Sequence, residues 1–141
     1  MKKQTLPKRF WLIIAIAMIL VSMIGSSLVQ SNGGRVKIHK INLVVSNGAE
    51  LYAQMYIPEQ ASAEHKLPLV ILQHGSQHNL QMQDMNMVEL ARRGFIVISG
   101  DAFGHGSSTP RGFVSPQMNF ANMRYLLEYA CSNLDCIDMD N

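Results

Sequence analysis

Apolar and polar positions change rhythm several times along this chain. From Phe10 to Ile24 nearly every residue is apolar, with no polar periodicity. From Val36 to Val45 apolar and polar residues alternate loosely, which reads as a strand, and Leu51 to Ile57 reads as its return strand. Asn47-Gly48 between them is the dipeptide of a two-residue hairpin turn, and Pro58 ends the return strand. Leu69 to Leu72 differs: it is an unbroken apolar run bounded by Pro68 and Gly75. A run that short predicts a strand buried on both faces, as in a parallel sheet covered by helices. Phe95 to Ser99 repeats the pattern.

The stretch between the two buried runs has helical spacing. Met87, Leu90 and Ala91 share a face of a helix running from Met82 or Asp84 to Arg93. Asp84 stands where a capping residue belongs, and Gly94 where a C-terminal glycine belongs. Three glycines and Pro110 make residues 104–113 a loop. Ser115-Pro116 then places a capping hydroxyl before proline at the first helical position. That helix is expected to reach about Cys131 and to bury Phe120, Met123, Leu126, Leu127 and Ala130. The fold class is α/β: an antiparallel hairpin leading into parallel strands with flanking helices.

The amino terminus is set apart by charge. Lys2, Lys3, Lys8 and Arg9 precede the apolar stretch, and the next charged residue is Arg35. The 25 positions between would span roughly 37 Å as a helix, against about 30 Å of bilayer hydrocarbon. Gly25-Ser26-Ser27 offers small residues without an Ala-x-Ala cleavage pattern, so an uncleaved anchor is favoured over a secretory signal. The expected organisation is residues 1–30 as transmembrane anchor or signal, 31–35 as a flexible linker, and 36–141 as the globular part. The Lys/Arg bias places that part outside the cell membrane; the alternative is secretion after cleavage.

Composition narrows the partners. Hydrophobic content of 48% with 16% charged residues argues against disorder. Net charge is +2, most of the excess lies near the amino terminus, and no basic patch interleaves with aromatics, so a nucleic-acid partner is not expected. Cys131 and Cys136 fit no zinc spacing. In an outward-facing domain they could pair across the turn at Asn133; otherwise Cys131 is a small buried residue at a helix end. The ten methionines fall mostly on helix faces or in the apolar segment, where packing accounts for them.

Candidate chemistry gathers at the ends of the buried runs. One ends in Gln73-His74-Gly75-Ser76, the next in Asp101-x-x-Gly104-His105-Gly106-x-Ser108. Ligands of open α/β sheets bind at such carboxyl ends. These two strand ends, with a helix between them, resemble the front half of an α/β-hydrolase over residues 36–141. Gly48-x-x-Leu51-x-Ala53-x-x-Tyr56-x-Pro58 is similar to the opening of that family's esterase- and peptidase-like branches. The resemblance implies a partial α/β-hydrolase sheet preceded by the transmembrane or signal helix.

It also implies roles. The backbone N–H of Ser76 would belong to the oxyanion hole, and Gly75 would let the backbone approach substrate; the plainer reading of Gly75 is that it only turns the chain. His74 would be structural, its ring tied to a neighbouring loop. Asp101, Gly104, His105 and Gly106 would form a structural turn, with Asp101 accepting backbone N–H groups. The reaction implied is serine-dependent hydrolysis of an ester or amide in a small-molecule ester or peptide-like substrate, with no cofactor. A Gly-x-Ser-x-Gly nucleophile elbow is absent; Gly106-Ser-Ser108-Thr-Pro110 comes nearest and ends in proline. In this fold the triad follows the order Ser, Asp or Glu, His, so all three are expected after Asn141. Ile137-Asp138-x-Asp140-Asn141 resembles the lead-in to the nucleophile strand, which puts the serine roughly 6 to 12 positions further on.

Two other readings compete. His74, His78, Asp101 and His105 suit zinc chemically, but no two stand at i, i+4 on one helix, and His74 and His78 straddle a glycine loop. A non-catalytic binding protein on the same fold would lack the later serine. Family strand order also leaves one edge of Leu69 to Leu72 without a neighbour in this chain.

Overall fold

The computed structural model describes residues 7–45, 48–109 and 116–139. Strands β1 (Val36–Val44) and β2 (Glu50–Pro58) pair antiparallel, from Val36 opposite Pro58 to Val44 opposite Glu50. Their connection is longer than an Asn-Gly dipeptide. Val45 N–H donates to Ala49 O at 2.9 Å, and Gly48 N–H donates to Val45 O at 2.8 Å. Gly48 at φ +79° supplies the left-handed residue that returns a three-residue loop to its strand. Asn47 lies outside the described residues.

Strands β3 (Leu69–Gln73) and β4 (Ile96–Gly100) are parallel, in register from Leu69 opposite Ile96 to Gln73 opposite Gly100. β4 also pairs antiparallel with β2, so the sheet order is β1-β2-β4-β3. Parallel neighbours need a crossover, and here it is a 3-10 turn, Leu80–Gln83, running into helix α2 (Asp84–Arg92). Asp84 is therefore no cap: the 3-10 turn continues into α2, and no side chain bonds the helix start. The other end closes through backbone bonds. Gly94 at φ +92° donates to Ala91 O, and Phe95 N–H donates to Leu90 O, which together satisfy the last carbonyls.

The sheet has two covered faces. Leu51, Ala53, Met55, Ile96 and Ile98 pack toward helix α3 (Pro116–Asn133) through Leu126 and Ala130. Tyr56 and Val97 pack toward α2 through Met87, Val88 and Ala91. β4 is buried along its whole length. β3 is only half-buried throughout, contrary to the two-sided burial its apolar run predicts. The reason is position: among the described residues it pairs on one side only. A single parallel rung lies on its open side. Leu67 N–H donates to Cys136 O and Asp138 N–H donates to Leu67 O, both at 2.9 Å.

Helix α3 departs from expectation in its rotation. Its buried stripe is Asn122, Leu126 and Ala130, one residue every four, while Phe120 is 75% and Leu127 45% exposed. Leu126 sets that rotation: its Cδ1 lies 3.1 Å from where a Cβ of residue 100 would stand, so Gly100 lets the helix close on β4. Phe120 and Leu127 then fall about 100° or more round the helix. Cys131 and Cys136 are both free thiols; Cys131 is half-buried with Sγ 3.7 Å from Met139 Sδ, and burial raises the pKa of Cys136.

Helix α1 (Lys8–Gln30) buries none of its residues and is long and apolar enough to be a membrane span or a signal sequence. Residues 31–35 form hydrogen-bonded turns, where a flexible linker was expected. Ser31 Oγ donates to Ser27 O, Gly33 N–H to Leu28 O, and Val36 N–H back to Ser31 O.

Candidate active site

Parallel pairing of β3 with β4 brings His74 and Asp101 out at the same edge of the sheet, one residue past the Gln73–Gly100 pair. His74 is buried, and both its ring nitrogens are engaged. Nε2 accepts the N–H of Ala102 at 2.9 Å, so the proton sits on Nδ1, which donates to Gly75 O at 2.8 Å. An imidazole committed at both nitrogens is a brace between two loops and has no lone pair left to act as a base.

Asp101 is also buried and accepts two backbone N–H groups. Oδ1 takes Leu80 at 2.7 Å and Oδ2 takes Ser107 at 2.8 Å. These bonds tie the start of the 3-10 turn to the loop after β4. Gly106, at φ +50°, runs so close that a Cβ there would overlap the Asp101 carboxylate. Gly104 is left-handed as well, at φ +85°. Ser108 Oγ donates to Asp101 O at 2.6 Å and accepts the N–H of Tyr52 at 2.9 Å, which fastens the loop to β2. His105 donates from Nδ1 to Phe103 O at 3.2 Å and accepts Gln77 N–H at Nε2 at 3.4 Å. Its ring centroid is 5.2 Å from that of His74.

Ser76 stands apart from this network. It is exposed, and among the described residues its N–H has no acceptor. It occupies the second position of a tight turn in which His78 N–H donates to Gly75 O at 3.3 Å. Gln77, third in the turn, sits at φ +64°, a region that favours glycine. The loop is thus held by His74 on one side and His105 on the other, leaving one backbone donor directed outward. Beside it an open cleft of about 430 Å³ is lined by Gln77, His78, Asn79, Met82, His105 and Gly106. A larger trough, about 640 Å³, runs between α1 and α2, away from these groups.

The structure brings His74, Gly75, Ser76, Asp101, His105 and Gly106 to one sheet edge. It does not gather His74, His78, Asp101 and His105 into a ligand set; among the described residues no three such side chains converge on a point. Ser107 is exposed on the loop, and Ser108 is buried with its hydroxyl bonded at both ends, so neither is a poised nucleophile.

Several groups here carry no sequence signal. Asn122 is fully buried with both amide atoms unpaired, and the Gln73 amide is likewise without a partner among the described residues. At the start of α2 and on β4, Asp84 Oδ1 and Ser99 Oγ are buried and without a partner among the described residues. Burial raises the pKa of Asp84; burial first, then the charges of Asp84 and Tyr52, raise that of Tyr56. An aspartate whose pKa rises on folding is accommodated best when protonated, so the fold loses stability as pH rises through that folded pKa. Asp84→Asn is therefore expected to stabilise the protein extended past Asn141 at pH 7 and to match the parent below about pH 4. Denaturant midpoints in detergent micelles at the two pH values check this; an equal gain at both would remove the ionisation argument.

Comparison with solved structures follows the same geometry. A hypothetical protein of Pseudomonas aeruginosa superposes with a TM-score of 0.63 at 21% identity, over 74% of this chain and 33% of that one. Acetyl xylan esterase 1 from Thermoanaerobacterium gives 0.56 at 20%, over 75% and 38%. An epoxide hydrolase from Vigna radiata gives 0.52 at 16%, over 67% and 29%. The fold is that of the α/β-hydrolases. The chain spans about a third of the length of these solved α/β-hydrolase structures. No family model and no curated protein matches it.

Proposed function

We propose that this chain is the amino-terminal part of a membrane-anchored serine hydrolase that cleaves an ester or amide bond. Residues 1–30 are the anchor and residues 36–141 the first part of the catalytic domain. The observation that carries the reading is the free N–H of Ser76, held outward by a loop that two imidazoles brace. A fixed amide dipole of this kind stabilises the negative oxygen of a tetrahedral intermediate without reorganising during reaction. The nucleophile, base and acidic orienter come from sequence past Asn141, and the parallel rung at Leu67 and Ile137 supports a further strand beside β3 there. Esterases among proteins of this fold support the carbonyl substrate.

Fluorophosphonate labelling tests this directly. The 141-residue chain is expected to take no label, and the protein extended past Asn141 is expected to take one per chain. Labelling of the short chain at Ser76, Ser107 or Ser108 would move the nucleophile into the loops described above and overturn the assignment.

A further inference from the structure

The direction in which α1 leaves the domain determines what the candidate site faces. α2 runs from Asp84, at the sheet edge that carries His74 and Asp101, to Arg92 at the opposite edge. The end of α1 is fixed near the second of these, where the Arg92 guanidinium donates to Val29 O at 3.2 Å. Gly25 and Ser26 line the trough shared with Asp84 and Met85. α1 therefore runs parallel to α2, from the Asp84 end toward the Arg92 end, and residues 8–24 project past the edge on which the site opens. At 1.5 Å per residue those positions cover roughly 25 Å, short of the ~30 Å of a bilayer's hydrocarbon.

The missing few ångströms must come from residues 25–28, which stand alongside the first turn of α2. A bilayer holding α1 is thus brought down to the level of Met85 and Met82. Both are among the more exposed apolar side chains of the globular part, at 86% and 61%. Met82 also lines the cleft beside Ser76, together with His78 and His105.

We propose that Met82 and Met85 seat the domain on the membrane surface, so that the cleft opens toward lipid and takes a membrane-borne acyl ester as substrate. Flexible thioether side chains suit an irregular apolar boundary, and buried apolar area sets the strength of such seating. Met85 lines the same trough as Gly25, Ser26 and Val29 of the apolar helix α1, so lipid is the occupant argued for. This rests on α1 being retained as an anchor, as the functional proposal above has it.

The test uses the full chain inserted in phosphatidylcholine liposomes, with a benzophenone-bearing residue at position 82, 85 or 64. Glu64 lies in the loop between β2 and β3, at the far edge of the sheet. Lipid adducts measured by mass spectrometry are expected from 82 and 85 at on the order of tenfold the yield from 64. Equal yields, a larger yield at 64, or protein–protein adducts in place of lipid at 85 would overturn the seating. Carbonate washing of the same liposomes separates the premises: release of the chain removes the anchor and this inference with it. Adduct formation needs no catalysis, so failure of the hydrolase assignment leaves this result readable.

Discussion

Ser76→Pro is expected to lower kcat of the complete hydrolase by about 10²–10³-fold, while Ser76→Ala stays within a few-fold of the parent. The difference lies in one hydrogen. Ser76 is second in the turn closed by His78 N–H and Gly75 O, and Gln77 at φ +64° supplies the left-handed third position. Proline is favoured at the second position of such a turn, and glycine before it tolerates the restriction proline imposes. The substitution therefore keeps the loop and removes the donor. A loss of that size corresponds to about 3 to 4 kcal/mol of transition-state stabilisation, which no rearrangement of an exposed hydroxyl would supply. Turnover of p-nitrophenyl acetate by the two variants, with circular dichroism as the control for folding, decides the matter. Full activity in Ser76→Pro would mean that the oxyanion is held elsewhere.

The elements that could be read from the sequence are those whose determinants are local. Gly94 marks the end of α2 because only a left-handed residue lets Phe95 N–H reach back to Leu90. The apolar run of β4 reports burial on both faces because both are covered within the chain. The same kind of run in β3 misleads here, since among the described residues only β4 pairs with it and one flank stays open. The rotation of α3 was illegible because it is decided by the void at Gly100, far away in sequence, into which Leu126 packs. At the candidate site, the glycines and histidines were visible as motifs. The partners that give them structure were not: Leu80 on Asp101, Tyr52 on Ser108 and Gln77 on His105 are backbone groups, which every residue carries.

Residues 35–141 expressed without α1 are expected to be insoluble, or at best molten. β3 is the cause. Its sequence from Leu69 to Gln73 has no charge, no proline and no bulge, the devices that protect natural edge strands. Beyond the rung at Leu67 and a long bond from the Gln83 amide to Gln73 O at 3.5 Å, its outer backbone groups have no partner among the described residues. The flanking surface is apolar too, because Leu69 and Ile71 pack only partly against the α3 side and Leu72 only partly against the α2 side. Phe120 and Leu127 add exposed apolar area on α3. An apolar edge strand beside such a surface is a template for pairing with a second copy. Inclusion bodies, or refolded material that binds a hydrophobic dye and lacks a cooperative near-UV transition, is the expected outcome. If the chain continues past Asn141 as the functional proposal has it, the extended protein is expected to be soluble, because the added strand would cover the β3 edge. A soluble monomer of residues 35–141 with a sharp two-state melt would show that this edge is already protected.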